Sequence, residues 1–390
     1  MTASAMEPFI GKAEEMMAAA SEAAGGLTDF GARETFIPGL NALLAALDND
    51  TLQFTRQSNA HVYQMVVGIL ISRLLTEQGW KANPQCLQQP IIRPLIIIGI
   101  PRTGTTALHK LLSVDPQFQG LERWLTTFPM PRPPRAEWES NPWYQACVAG
   151  LREFFDLVPG VRVAHDLNAN DVDECLDVLK QNFCSNFFGS YLDIPSYDEW
   201  WLQQSEAPAY QRLYKVLQLI GANSPGKTWL LKNPGHVANV DLLLDTFPDA
   251  CVVQTHRDPV KAMPSVCSVL SFTRSMIEGN QARLNNIGKR ELTYWSRAVE
   301  DADQARQRAP EQFLDINHAD FHSDPIEVVK HIYDYFGLKL TRDALTAMRD
   351  RIERNPEGSY GQHHYTLADY GLTAAAIRNR FESYCQRHLT

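Results

Sequence analysis

From residue 9 to about residue 80, apolar side chains recur at every third or fourth position, as in Leu40, Leu43, Leu44 and Leu47, then Tyr63, Val66, Val67, Leu70 and Leu74. That spacing gives each helix one apolar stripe. The turn residues Gly25-Gly26 and Pro38-Gly39 divide the stretch into three or four helices. The pattern changes at Gln88-Gln89-Pro90, after which Leu95-Ile96-Ile97-Ile98-Gly99-Ile100 forms a continuous apolar run. Such a run marks a strand buried on both faces, and a glycine turn leads from it into the helical stretch Thr105–Ser113.

Three later apolar runs, at 228–231, 250–254 and 313–316, each precede a candidate helix, at about 236–247, 259–272 and 325–337. This alternation is the rhythm of a parallel α/β sheet. Between the first strand and these runs lie a proline-rich loop, residues 128–135, and amphipathic helices around 141–157, 172–188 and 207–220. The chain contains no internal repeat and no low-complexity segment. The expected fold is α/β, with a helical N-terminal extension over residues 1–88. An α/β domain over 89–390 would carry a helical insertion at about 120–225, and extension and insertion together would wall the carboxyl edge of the sheet.

Composition narrows the function. The 36 Lys+Arg against 45 Asp+Glu leave a formal charge of −9, with no basic block. This argues against nucleic acid or anionic lipid as a partner, so any anion must be held locally. Seven cysteines lie scattered without a C-x-x-C pair, as expected of reduced core thiols. No apolar stretch approaches the ~20 residues that span a bilayer, and the N-terminus lacks the uninterrupted apolar region of a secretory signal. The expectation is a soluble, cytoplasmic protein without integral membrane contact. A single chain leaves its oligomeric state open.

The sharpest chemical signal is Gly99-Ile-Pro-Arg-Thr-Gly104-Thr105-Thr106, which keeps the G-x-x-x-x-G spacing of a phosphate loop but has Thr105 where the motif's lysine stands. The loop and the helix start still offer backbone N–H groups and a positive dipole end to an anion. Arg102 supplies the cation. No aspartate follows the later strands at the place where a nucleoside triphosphatase holds magnesium; those runs lead into Lys232 and His256-Arg257.

Through Pro101-Arg102-Thr103-Gly104-Thr105-Thr106 the chain resembles the sulfotransferases that use 3′-phosphoadenosine 5′-phosphosulfate, in their bacterial branch. That family's P-[KR]-[ST]-G-T-T loop binds the 5′-phosphosulfate. The resemblance therefore implies that Arg102, Thr103, Gly104, Thr105 and Thr106 bind this donor, in a P-loop-like fold. A second family motif, an arginine at a strand end and a serine eight residues later, binds the 3′-phosphate, and Arg257 and Ser265 match it. A bidentate cation with a hydroxyl donor is what that phosphate needs. The bland alternative is an arginine capped by Asp258 on a surface turn.

Leu230-Leu-Lys232-Asn-Pro-Gly-His236 resembles the family's L-K-[ST]-P-x-H segment, with Asn233 departing from the usual Ser or Thr. Sulfuryl transfer needs a base for the acceptor proton and cations around the transferred group. His236 is one candidate base, Glu122 the other, and Lys232 and Arg102 are the cations; His236 also reads as a helix N-cap or a satisfied core histidine. The acidic stretch Asp171-Val-Asp173-Glu174 reads first as the opening turn of a helix. Gly361-Gln-His363-His364-Tyr365 resembles the family's late H-x-Y loop, which would bring His363 over the nucleotide. No Cys/Asp/Glu set accompanies the paired histidines, so no metal is expected. Aromatics crowding the insertion, Phe128 and Phe154 among them, favour a small hydrophobic alcohol or phenol as acceptor.

These residues together imply a sulfotransferase acting by in-line displacement, with adenosine 3′,5′-bisphosphate as the second product. The alternatives are a P-loop kinase-like phosphotransferase and a nucleotide-binding protein without turnover.

Overall fold

The computed structural model describes residues 8–50, 54–157, 167–279, 282–354 and 365–389. Five parallel strands, β1 (Leu95–Gly99), β2 (Phe118–Gln119), β3 (Thr228–Lys232), β4 (Cys251–His256) and β5 (Phe313–Asn317), lie side by side in the order β2-β3-β1-β4-β5. Successive side chains of a strand point to opposite faces. Accordingly Leu95 and Ile97 join a core with Leu230 and Val253, whereas Ile96 and Ile98 join a second core with Leu231 and Val252. Helices cover both faces, so neither set has a reason to be polar, and the run reads as continuously apolar. The expected α/β fold and its four apolar strands are present. The two-residue β2 is too short to leave a pattern.

Register sets the level at which the strands end. Ile97 lies opposite Lys232, and Gly99 opposite Thr255. The chain leaves β1 toward β2 and β3 on one side, then crosses to β4 on the other. A crevice opens above β1 where that order reverses, the usual place for a ligand in such sheets.

The N-terminal helices are Ala13–Ala23, Ile37–Asn49 and Arg56–Ala82. Pro38-Gly39 does not separate helices, because proline suits a first helical turn and Pro38 stands there. Gly39 lies against the insertion so closely that a Cβ would sit 2.3 Å from the Phe183 carbonyl oxygen. These helices share an apolar core with Phe183, Phe188, Tyr197 and Trp201 of the insertion. Arg73 pins the contact, donating to the carbonyls of Phe30 (3.1 Å) and Gln181 (3.0 Å).

Within the insertion, Pro142–Leu157 and Ala207–Ile220 are helices as the periodicity predicts. The helix expected at 172–188 is instead three short pieces, Leu176–Leu179, Lys180–Asn182 and Asn186–Tyr191. Phe183 adopts a left-handed φ of 52° that ends the first run, and the Ser185 hydroxyl starts the next by accepting the Phe187 N–H. Residues 171–174 are not a helical turn either. Val172 bridges Glu122, the Asp173 N–H donates to the Leu121 carbonyl, and the Cys175 N–H to the Lys232 carbonyl, so this acidic stretch lies extended beside the end of β3. Among the described residues no helix is long and apolar enough to cross a membrane.

Candidate active site

β1 ends at Gly99, whose φ of +146° favours glycine and whose added Cβ would lie 2.5 Å from Thr255 Oγ1 and 2.7 Å from the Thr255 carbonyl oxygen. Only a bare backbone leaves the sheet this close to β4. The loop then turns through Arg102 at φ 71° and Gly104 at φ 96° into the helix Thr105–Leu112. Gly104 is the N-cap, so no side chain caps the helix, and its first N–H groups face the crevice as an anion cradle. Thr103 turns inward. Its hydroxyl donates to the Ile100 carbonyl (2.7 Å) and shares a 2.5 Å hydrogen bond with Thr255, which makes this threonine a brace for the loop. Thr105 and Thr106 line the pocket above.

The cations arrive from three strand ends. Lys232, at the end of β3 and 1% exposed, donates to Glu174 Oε1 (2.6 Å) and Thr106 Oγ1 (3.2 Å). Arg102 Nε donates to Ser265 Oγ (3.0 Å), and Arg257 Nη1 donates to the Arg102 carbonyl (2.8 Å). The segments that carry Arg102 and Arg257, more than 150 residues apart in sequence, are therefore one hydrogen-bonded unit. Asp258 caps the following helix, Pro259–Glu278, by accepting the Val260 N–H (2.9 Å), and Ser265 faces the loop from that helix.

Side chains back Arg257 from behind. The Tyr384 hydroxyl lies near its backbone and meets His256 Nδ1 at 3.1 Å. His256 Nε2 lies 2.8 Å from Asp315 Oδ1, and both Asp315 oxygens accept from Arg306. The Asp315 carboxylate makes Nε2 the donor of this pair, and burial holds the imidazole below its ordinary range. His388 stacks on this ring, with centroids 4.2 Å apart.

Beyond the cradle opens a cavity of about 170 Å³, bounded by Pro101, Arg102, Thr105, Thr106 and Asn233–Gly235 and walled by Phe187, Tyr191, Leu270 and Tyr294. Three carboxylates also line it. Glu174 pairs with Lys232; Glu291 accepts from Arg290 (2.6 Å) and the Trp295 indole (2.8 Å). Glu206 accepts from the Trp201 indole (3.0 Å), and burial pushes its carboxyl up to about 7.

The predicted site residues separate into groups. Arg102, Thr103, Gly104, Thr105, Thr106, Lys232, Arg257 and Ser265 come together around the crevice. His236 follows the lining residue Gly235 in the chain and is fully buried. Its Nδ1 bonds the Tyr210 hydroxyl (2.7 Å), its Nε2 has no partner among the described residues, and burial pushes the ring down to about 3. It is not an N-cap; Asn233 fills that role by accepting the Gly235 N–H (3.2 Å). Glu122 is not brought to the pocket. Its carboxylate accepts from Arg132 Nε (3.0 Å), whose Nη1 also binds Gln119 (3.0 Å), so Glu122 and the proline-rich loop hold the β2 edge. His363 lies outside the described residues, but Tyr365, at the end of the same loop, interacts electrostatically with Arg102.

Glu174, whose acidic stretch reads in the sequence as a helical turn, lines the pocket instead. Its neighbours reveal why the stretch is acidic: Asp171 pairs with Lys110 (2.7 Å), Asp173 with Arg123, and Glu174 with Lys232. The available signal was a run of acids matched by bases on the cradle helix, the segment after it and β3.

A family model described as Sulfotransferase family matches residues 94–342. The omega-hydroxy-beta-dihydromenaquinone-9 sulfotransferase of Mycobacterium bovis is 24% identical over 252 residues, 63% of this chain and 63% of that protein, so the match spans less than two thirds of that relative's length. Among solved structures, sulfotransferase STF1 from Mycobacterium tuberculosis H37Rv superposes with a TM-score of 0.87 at 36% identity, over 97% of this chain and 100% of that one. Sulfotransferase STF9 from Mycobacterium avium also reaches a TM-score of 0.87, at 25% identity over 99% of this chain and 98% of that one.

Proposed function

Because this chain belongs to the sulfotransferase family, we propose that it is an enzyme of sulfuryl transfer, with 3′-phosphoadenosine 5′-phosphosulfate as donor and a hydroxyl on a small hydrophobic molecule as acceptor. The observation that carries the reading is the direct bond between the two anion motifs. Arg257 grips the carbonyl of Arg102, and Arg102 grips Ser265, so one rigid unit presents cations and a hydroxyl to both ends of a doubly phosphorylated adenosine. The cradle fits that group chemically, since the helix N-terminus, Lys232, Arg102 and Arg257 converge at strand ends. The donor supplies an activated sulfuryl group and leaves as adenosine 3′,5′-bisphosphate.

The chain's own residues do the rest. Thr103–Thr106 and Arg102 hold the phosphosulfate end, and Arg257 with Ser265 holds the 3′-phosphate. Lys232 and Arg102 stabilise negative charge on the leaving oxygen. Glu174 takes the acceptor proton. It lines the pocket, and its carboxylate lies 2.6 Å from Lys232 Nζ, so the proton acceptor stands beside a cation of the cradle. His236 is a second candidate base, favoured by its unpartnered Nε2, although it is fully buried and is not among the residues that line the pocket.

The acceptor named for the Mycobacterium bovis relative, a hydroxylated dihydromenaquinone, is itself an apolar molecule with a hydroxyl, in keeping with the apolar walls here. Residues 89–390 would form the catalytic domain and residues 1–88 an extension sharing a core with its insertion. All seven cysteines are free and six are buried, in keeping with the reducing cytoplasm.

The test is incubation with labelled donor and a panel of phenols, steroids and aliphatic alcohols, read by mass spectrometry for an added sulfate. Adenosine 3′,5′-bisphosphate should raise the melting temperature, and ATP with magnesium should not. An equal response to both nucleotides would overturn the assignment of the donor.

A further inference from the structure

A second chamber of about 390 Å³ adjoins the reaction pocket, and the two share Glu174, Leu176, Phe187, Tyr191 and Val269 as common wall. Its far side is built by three separate parts of the chain: Met65 from the N-terminal extension, Leu151 and Phe154 from the insertion helix Pro142–Leu157, and Met276 from the helix after β4. The charged side chains that line it each have a partner, Arg123 with Asp173, Lys180 with Asp177, and Glu174 on the common wall with Lys232 at the end of β3. Each of these charges is already matched, which disfavours an ionic headgroup.

Size decides what the chamber is for. Ligand pockets hold roughly 300–1,000 Å³, and the reaction pocket alone, about 170 Å³, falls short of that before any donor sulfate enters it. Joined to the second chamber, it falls within the range.

We propose that the second chamber binds the body of the acceptor, which is an uncharged, elongated, largely apolar molecule with a terminal hydroxyl. The hydroxyl reaches past Glu174 to Lys232, and the apolar chain lies between the extension and the insertion. This rests on the sulfotransferase reading above and adds the shape of the acceptor to it.

Gly150 supplies the test. It lines the chamber, and a Cβ placed on it meets nothing within 4 Å, so a larger side chain can be introduced at this position of the chamber's lining. Binding of the fluorescent long-chain parinaryl alcohol should be saturable in the wild type and displaced by hexadecan-1-ol but not by hexan-1-ol. Gly150→Trp should weaken it at least tenfold, Gly150→Ala should leave it unchanged, and both variants should keep wild-type affinity for adenosine 3′,5′-bisphosphate, which reports intact folding. Absence of saturable binding, or binding that Gly150→Trp leaves untouched, overturns the proposal. The readout needs no turnover, so the two readings fail separately: sulfation of hexan-1-ol without long-chain binding removes the chamber's role and leaves the activity standing. Long-chain binding without sulfation of any alcohol does the reverse.

Discussion

Arg257 donates to the backbone carbonyl of Arg102 across 2.8 Å, which ties the end of β4 to the loop after β1. A guanidinium has five N–H donors in a planar fork, so one bond to the loop is compatible with a bidentate grip on phosphate. Arg257→Ala should therefore remove a ligand contact and loosen the loop together. We expect adenosine 3′,5′-bisphosphate to bind weaker by about 2 kcal/mol, within the range of charge-assisted hydrogen bonds. Ser265→Ala should cost less, and the double variant should fall short of the sum, because both residues act through Arg102. Calorimetric titration of the four proteins measures this; strict additivity would mean that the two contacts are independent.

Lys232 and Glu174 form an ion pair with side chains 2% and 20% exposed. Lys232→Ala leaves a carboxylate without its partner and should destabilise the fold by about 3 kcal/mol, the low end for breaking a buried pair, since Glu174 keeps some contact with water. It should also lower turnover by about 10²–10³-fold through lost transition-state stabilisation. Glu174→Gln keeps the shape and should lower kcat with unchanged nucleotide affinity. His236→Ala, measured alongside it, separates the two candidate bases: the variant that loses kcat at neutral pH without losing fold identifies the proton acceptor.

Tyr384 stands between the Arg257 backbone and His256. Removing its hydroxyl costs about 1 kcal/mol of hydrogen bonding. Tyr384→Phe should raise the KM for the donor several-fold with little change in kcat, since the tyrosine positions Arg257 and touches neither substrate. A fall in kcat at constant KM would contradict that role.

Glu206 has a carboxyl pushed up to about 7 by burial, against an ordinary value of 4.5. A raised acid binds its proton more tightly in the folded chain than in the unfolded one. Stability then declines as pH rises from about 4.5 through 7, by an amount on the order of 3 kcal/mol. Glu206→Gln keeps an acceptor for the Trp201 indole and removes the titration. The variant should match the wild type near pH 5 and melt higher at pH 8, as thermal denaturation across that range would report; equal melting temperatures at pH 8 would show the carboxylate to be well solvated.

How much of this was written in the linear chain follows from how local each cause is. The buried strands, the glycine turn and the helix after it are properties of consecutive residues, so β1 with its cradle, and β3, β4 and β5, were legible as apolar runs. Arg102, Lys232, Arg257 and Ser265 were picked out by resemblance to family motifs that are themselves local, and each of the four stands at the end of a strand, just after one, or on the helix that follows one. Residues 172–188 defeated periodicity because a left-handed Phe183 and a capping Ser185 interrupt a pattern that is otherwise helical.

What the chain alone did not decide was which charges meet. Glu122 and Glu174 are both acids near the cradle in sequence, yet Arg132 draws one to the sheet edge and Lys232 draws the other into the pocket. Ion pairing across 58 residues depends on where two backbones arrive in space, and no spacing rule encodes that. The second chamber has the same origin. Its walls come from the extension, the insertion and the helix after β4, so it exists only once those three have packed.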